Sequence, residues 1–351
     1  KIDQIKKCKI YIVALPTPID EKKKPDLKLL KDCCKMIGAI LKKGDLVIFE
    51  STVYPGVVED ICVKIIEKKS GLIFNKNFYC GYSPERINPG DKQHNLRTVI
   101  KVTSGSTPKI SLIVDKLYKE IALTGTHMTP SIKVAEAAKV IENIQRDVNI
   151  ALINEITIIL NKLNIDIKSV LDAANTKWNF LPFKPGLVGG HCIGIDPYYL
   201  AYRSIKEGHY PKIILSGRKI NDKMAFYHAK QLKEKMLKKK IKVKNANILI
   251  MGFSFKENCP DIRNSKIPDL IKGIKKYCPN VDVYDPLVNK KNVKKIYGID
   301  LIEKPIKRKY NAIVIALAHD SFKKLTLNQI YSLVSRDFVI YDLKFILNLL
   351  K

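Results

Sequence analysis

The sequence predicts an α/β protein: two doubly wound parallel sheets joined by a central helical block, with the first sheet unit incomplete. Three observations predict this. Short β-rich runs alternate with helical stretches at both ends of the chain, the middle reads as helix, and no GxGxxG occurs anywhere. The alternation is the rhythm of parallel strands with crossover helices. It divides the chain into residues 1–126, 127–222 and 223–351. The missing glycines are those that let backbone amides approach a pyrophosphate between the first strand and first helix of a dinucleotide-binding unit. Either the first block is not a nucleotide domain, or its opening βαβ lies upstream of Lys1. Residue 1 is lysine and a strand-like run follows almost at once, so a processed or truncated N-terminus is expected.

In the first block, KIYIVALP reads as a strand, DLKLLKDCCKMIGAILKKG as a helix and DLVIFEST as a strand. A helix is expected around Val57 to Ser70, and FYCGYSP as the next strand. The middle block opens with SIKVAEAAKVIENIQRDVNIALINEITIILNKL, a helix of about thirty residues capped by Ser131 or the residues just before it. After a further lysine-rich helix, NANILIMG, VDVYDP, NAIVIALAH and DFVIYD give four more strands separated by helical segments.

Composition excludes several classes. With 351 residues, 46% hydrophobic and 28% charged, the chain is globular and large enough for two or three domains. The formal charge of +29 raises the question of a polyanionic partner. The lysines are scattered among many Ile and Asn, which favours a solvated surface over nucleic-acid binding. Eight cysteines form no CxxC pair and no His/Cys cluster at zinc spacing, so no metal site is expected and most thiols should be buried and reduced. No apolar run reaches the roughly 18 residues of a membrane span and no signal peptide opens the chain, so a cytoplasmic location without membrane contact is expected.

Five stretches carry candidate chemistry. Lys139, Asn143 and Arg146 are spaced by four and three on the long helix, with Glu136 one turn earlier. Such a stripe is either a solvent face or the wall of a site. In VGGHCIGIDPYY, Cys192 follows Gly189, Gly190 and His191 and precedes Asp196 by four residues, which would be one turn if the segment is helical. Cys192 is either a small buried hydrophobe or a nucleophile. The strand-end loop GFSFKENCPDIRNS, 252–265, carries Lys256, Asp261 and Arg263 where open α/β sheets bind ligands, or is a salt-bridged loop. FESTVYPG places Ser51 and Thr52 at a strand end before a Pro-Gly turn, and YSPERINPG places Glu85 and Arg86 at another.

Taken in order, PTPID, ESTVYPG, SPERINPGD, KVAEAAKVIEN with QRDVNIALINE, TKWNFLPFKPGLVGGHCIGIDPYYL and GFSFKENCPDIRNS resemble the UDP-glucose/GDP-mannose dehydrogenase family, and within it the UDP-N-acetylhexosamine 6-dehydrogenases of surface-polysaccharide synthesis. The resemblance implies an NAD-binding Rossmann unit, a central helical domain and a second Rossmann-like unit for the UDP-sugar, with NAD as cofactor and a homodimeric assembly. It also implies that an N-terminal segment with the glycine fingerprint is absent. The implied reaction is oxidation of the sugar C6 alcohol to a carboxylate with two NAD, through a thiohemiacetal and thioester on Cys192. By motif, Lys139 and Asn143 would hold the reacting oxygen, Asp196 and Thr52 would handle protons through a bound water, and Glu85 would be the base for thioester hydrolysis. Arg86, Ile87, Arg146, Lys177, Gly190 and Lys256 would contact substrate; Thr17, Thr52 and Arg263 would contact the cofactor.

Two departures stand out. Pro89 stands where the UDP-glucose branch carries a second glutamate, which favours the acetamido-sugar branch, and Ile144 replaces the threonine of ENTQRD. The alternative expectation is a truncated, inactive UDP-sugar-binding remnant of such an enzyme.

Overall fold

The computed structural model describes residues 2–87 and 94–347, so Pro89 lies outside the described residues. In chain order the regular elements are β1 (Ile10–Val13), α1 (Lys28–Gly38), β2 (Leu46–Phe49), a π-helical stretch (Val58–Val63) running into α2 (Lys64–Ser70), and β3 (Tyr79–Tyr82). They continue with β4 (Lys101–Gly105), α3 (Pro108–Lys119), β5 (Thr126–Met128), α4 (Ile132–Lys162), α5 (Ile167–Ala174), α6 (Asp196–Lys206) and α7 (Lys212–Lys238). The last part is β6 (Ile248–Met251), α8 (Ile267–Lys275), β7 (Val281–Tyr284), α9 (Lys290–Tyr297), β8 (Tyr310–Ile315), α10 (Asp320–Lys323), α11 (Leu327–Tyr331) and β9 (Val334–Asp342). Among the described residues no helix is long and apolar enough to cross a membrane.

Chain contacts group into two units: Lys1–Gln145 with Ile195–Leu215, and Arg146–Gly194 with Ser216–Lys351. The helical block expected at 127–222 is thus divided between them, and α7 runs through the expected boundary at 222/223.

In the first unit the strand order is β1-β2-β3-β4-β5. β1, β2 and β3 run parallel, in a register that sets Val13 beside Phe49 and Phe49 beside Tyr82. Their carboxyl ends therefore lie abreast, bringing the segments after them together. β2 reads LVIF because it is buried at every position, the signature of a strand covered on both faces. The sheet is not wholly parallel: β4 runs antiparallel to β3. Parallel pairing needs a crossover, normally helical, and no helix forms among the described residues between Tyr82 and Lys101. At the start of α3 the Thr107 side chain accepts from Ile110 N and Pro108 opens the helix. Ser131 Oγ accepts from Val134 N at the head of α4 (3.3 Å).

In the second unit the order is β7-β6-β8-β9, all parallel, with Met251 beside Tyr284 and Ile315, and Ile315 beside Asp342. β6, ILIM, is buried at all four positions. A core of Ile248, Ile250, Leu270, Ile274, Val283 and Val314 packs α8 onto this sheet. The loop 252–265 leaves the carboxyl end of β6, the side on which open sheets of this kind bind ligands.

Candidate active site

The first unit assembles a charged centre on α4. Lys139 is buried although it carries an ammonium group, and the Asn143 amide, half-buried, donates to Asp196 Oδ2 (2.5 Å). Asp196 opens α6 and is 2% exposed. Burial pushes its carboxyl up to about 7, against the pull of the Lys139 charge and the Asn143 donor. A carboxyl poised near neutrality beside a cation and an amide donor is equipped to exchange a proton with an oxygen and to hold the resulting charge. Of the helix stripe, Lys139 and Asn143 thus belong to this charged centre, while Arg146 is exposed.

Glu136, one turn before Lys139, is fully buried. Its carboxylate accepts from Gly56 N (2.6 Å) and Val58 N (3.0 Å), capping the helical stretch that follows the STVYPG turn. Gly56 has φ +98°, a conformation that favours glycine. Glu136 therefore ties the segment carrying Thr52 to the helix carrying Lys139. Thr52 O accepts from Thr17 Oγ1 (2.6 Å), and Ser51 Oγ accepts from Leu15 N (2.9 Å), joining the carboxyl ends of β1 and β2. After β3, Arg86 pairs with Glu142 of α4 (2.7 Å) and donates to Ile100 O (2.8 Å). Glu85 and Ile87 are exposed, and Glu85 Oε1 accepts from Ile87 N (2.6 Å).

Two further groups escaped the sequence reading. Lys101 is 2% exposed and donates to Pro84 O (3.0 Å), fixing the turn before Glu85. Burial lowers its pKa, opposed by Glu50 and Glu85. Tyr199 of α6 donates to Pro18 O (3.1 Å), next to Thr17. One lysine among 63 basic residues and one tyrosine among 16 carry no local signal of such roles.

The second unit holds the cysteine segment. Cys192 is exposed and lies in a bend; helix α6 begins only at Asp196, so the segment between them is not helical. Proline at the second position of α6 favours a helix start there. Gly190 N donates to Asn264 O (3.2 Å), setting residues 190–192 against the 252–265 loop. A Cβ at Gly189 would meet Asn264 O at 2.5 Å, and one at Gly190, whose φ is +88°, would meet the Phe255 ring at 2.6 Å, so close approach requires both glycines. Asp261 holds the Arg263 guanidinium through both carboxylate oxygens (2.7 to 3.1 Å), and His191 Nε2 lies 3.7 Å from Asp261 Oδ2. The Asp261 bond favours the charged form of Arg263, against the desolvation of its guanidinium. Lys256 Nζ sits 5.6 Å from the Phe255 ring centre. Lys177 is exposed in the turn after α5. Among the described residues no group of three or more His, Cys, Asp or Glu is placed to hold a metal ion.

Residues 1–122 match the NAD binding domain of the UDP-glucose/GDP-mannose dehydrogenase family, 133–223 its central domain and 249–349 its UDP binding domain. UDP-N-acetyl-D-glucosamine 6-dehydrogenase of Pseudomonas aeruginosa is 54% identical over 347 residues, 99% of this chain and 82% of that protein. The protein of the same name from Salmonella typhi is 52% identical with the same coverage. The structure of UDP-D-ManNAc dehydrogenase from Pyrococcus horikoshii superposes with a TM-score of 0.87 at 30% identity, covering 99% of this chain and 80% of that one. With the motifs in order, the sheets matched and relatives this similar along the whole chain, the protein belongs to the UDP-glucose/GDP-mannose dehydrogenase family.

Proposed function

We propose that the protein oxidises the C6 hydroxyl of a UDP-N-acetylhexosamine to the carboxylate with NAD, yielding a uronate for surface-polysaccharide synthesis. The observation that carries this is the centre of buried Lys139 and Asp196 with half-buried Asn143, suited to take a proton from an alcohol and hold the oxygen left behind. The names of the relatives at 54% and 52% identity make UDP-N-acetyl-D-glucosamine the proposed sugar.

The residues at the carboxyl ends of β1 and β2 fit part of an NAD molecule. Thr17 and Thr52 supply hydroxyls there, whereas Pro16 and Pro18 supply no N–H, so this shelf suits the nicotinamide ribose and not the diphosphate. Arg263 supplies a cation for the diphosphate of cofactor or substrate. When bound, NAD supplies the acceptor for a hydride leaving C6 in each of two oxidations.

In the first oxidation Asp196 takes the hydroxyl proton through a water held with Thr52, while Lys139 and Asn143 hold the oxygen as charge develops. The aldehyde formed has no hydride to give until a nucleophile adds to it. The Cys192 thiolate bonds to C6 and the carbonyl oxygen takes up a proton, giving a thiohemiacetal. Loss of the C6 hydride and the hydroxyl proton leaves a thioester. Water, deprotonated by Glu85, adds to the thioester and expels the Cys192 thiolate, leaving the carboxylate. Arg86, Ile87, Arg146, Lys177, Gly190 and Lys256 contact the UDP-sugar. The protein acts as a homodimer.

The test measures NADH formed per sugar with UDP-GlcNAc, UDP-GalNAc, UDP-ManNAc and UDP-glucose. Two NADH per UDP-GlcNAc are expected, and Cys192→Ser should oxidise the C6 aldehyde about 10³-fold more slowly than wild type while still binding substrate. Aldehyde oxidation at the wild-type rate in Cys192→Ser would overturn the covalent step. Tight sugar binding with no NADH from any of the four would mark a noncatalytic sugar-binding protein instead.

A further inference from the structure

The segment before Cys192, residues 183–189, forms neither helix nor strand, so its backbone groups need partners from side chains. Asn154 of α4 supplies them at Gly186. Its Oδ1 accepts from Gly186 N (2.9 Å) and its Nδ2 donates to Gly186 O (3.0 Å), a two-bond clamp from a fully buried amide. The amide cannot rotate without loss, because Nδ2 also donates to Asn221 Oδ1 (2.8 Å). Asn221 is held in turn by Asp147, to which its Nδ2 donates (2.8 Å), and Asp147 accepts from Arg218 Nη1 (2.6 Å). All four side chains are buried, and the bonds among them limit how far any one can turn. Four residues on, Asn264 grips the same segment: its carbonyl accepts from Gly190 N (3.2 Å) and its Nδ2 donates to Gly190 O (3.3 Å).

We propose that Asn154 and Asn264 are positioning residues for the Cys192 thiol, holding residues 186–190 at both ends so that the sulfur is aligned for addition to the aldehyde. This rests on the reading of Cys192 as the nucleophile of the second oxidation. A displacement of about 1 Å from attack geometry slows a reaction up to about 10²-fold. Only the second oxidation uses the thiol, so loosening the clamp separates the two halves of the reaction.

The test uses Asn154→Ala and Asn264→Gly in the intact protein, with saturating UDP-sugar and NAD. Single-turnover oxidation of the C6 aldehyde should fall about 10-fold or more, while the first hydride transfer from the alcohol stays within about 2-fold of wild type. Aldehyde should escape during alcohol oxidation and be captured by a hydroxylamine reagent. Asn154→Ala opens a gap in a buried network and risks the fold. Asn264 is exposed, with φ 52°, a conformation glycine adopts readily, so Asn264→Gly keeps the test decisive. Equal losses in both halves, or no loss in aldehyde oxidation, in a folded Asn264→Gly variant would overturn the proposal. Cys192→Ser runs alongside: if it is inactive on aldehyde while the clamp variants match wild type, only the clamp is wrong, and if it is fully active the covalent reading falls as well.

Discussion

At Asp196, burial and charge pull in opposite directions, and the balance makes both activity and stability depend on pH. Its carboxyl titrates near 7 in the folded protein against an ordinary value of 3.8. Between those values the native state keeps a proton that the unfolded chain has lost, so stability falls as pH rises through that window and stays reduced above it. Activity runs the other way, since only the ionised form accepts the hydroxyl proton. We therefore expect kcat/KM to rise with pH to a plateau above about 7. Asp196→Asn should abolish that rise, lower kcat by about 10²–10⁴-fold, and raise Tm more at pH 8 than at pH 4. Profiles of kcat/KM and thermal denaturation at the two pH values check this. A rise surviving in Asp196→Asn, or equal Tm gains, would remove Asp196 from the role of base.

Elements in this protein are joined by single buried side chains that reach across long stretches of sequence. Glu136 is the clearest case, because its two bonds fasten the Gly56 and Val58 amides to α4. Burial pushes its carboxyl up to about 8, opposed by those two donors. Above about pH 8, where Glu136 is ionised, Glu136→Gln turns an NH2 group toward one amide N–H and should cost about 1–3 kcal/mol, read by urea denaturation at that pH. It should also lower kcat by shifting the Thr52 segment. A change under about 0.5 kcal/mol would sink the capping account. Such links also mark the limit of what the sequence made legible. The strands and α4 were readable because burial on both faces writes Leu46–Phe49 and Ile248–Met251 as apolar runs, and helical spacing put Lys139 and Asn143 on one face. The bond from Asn143 to Asp196 spans 53 positions and the clamp from Asn154 to Gly186 spans 32, and no local pattern encodes either. β4 was not read as a strand at all, and its reversal would have stayed hidden in any case, since strand periodicity is blind to direction.

For the whole molecule, the surface of α4 and the net charge make opposing demands. Val134, Ile141, Leu152 and Ile159 are each 44–53% exposed. Their spacings of seven, eleven and seven are close to two, three and two helical turns, so they form one apolar stripe along a helix about 46 Å long. A stripe of this kind on a long helix suits pairing with a second copy about a two-fold axis, where the same face meets itself. The formal charge of +29 on each copy opposes that association. Salt screens the repulsion and leaves apolar burial intact, with a screening length falling from about 30 Å at 0.01 M to about 8 Å at 0.15 M. The proposed homodimer should therefore tighten as salt is added. Binding to a polyanion such as random-sequence DNA would weaken steeply over the same range. Sedimentation velocity across this range should show a dimer at 0.15 M salt that dissociates partly at 0.01 M. Leu152→Lys, which places a charge in the stripe, should give a folded monomer at both. A folded wild-type monomer at 0.15 M, or a dimer untouched by Leu152→Lys, would show that α4 is not where two copies meet.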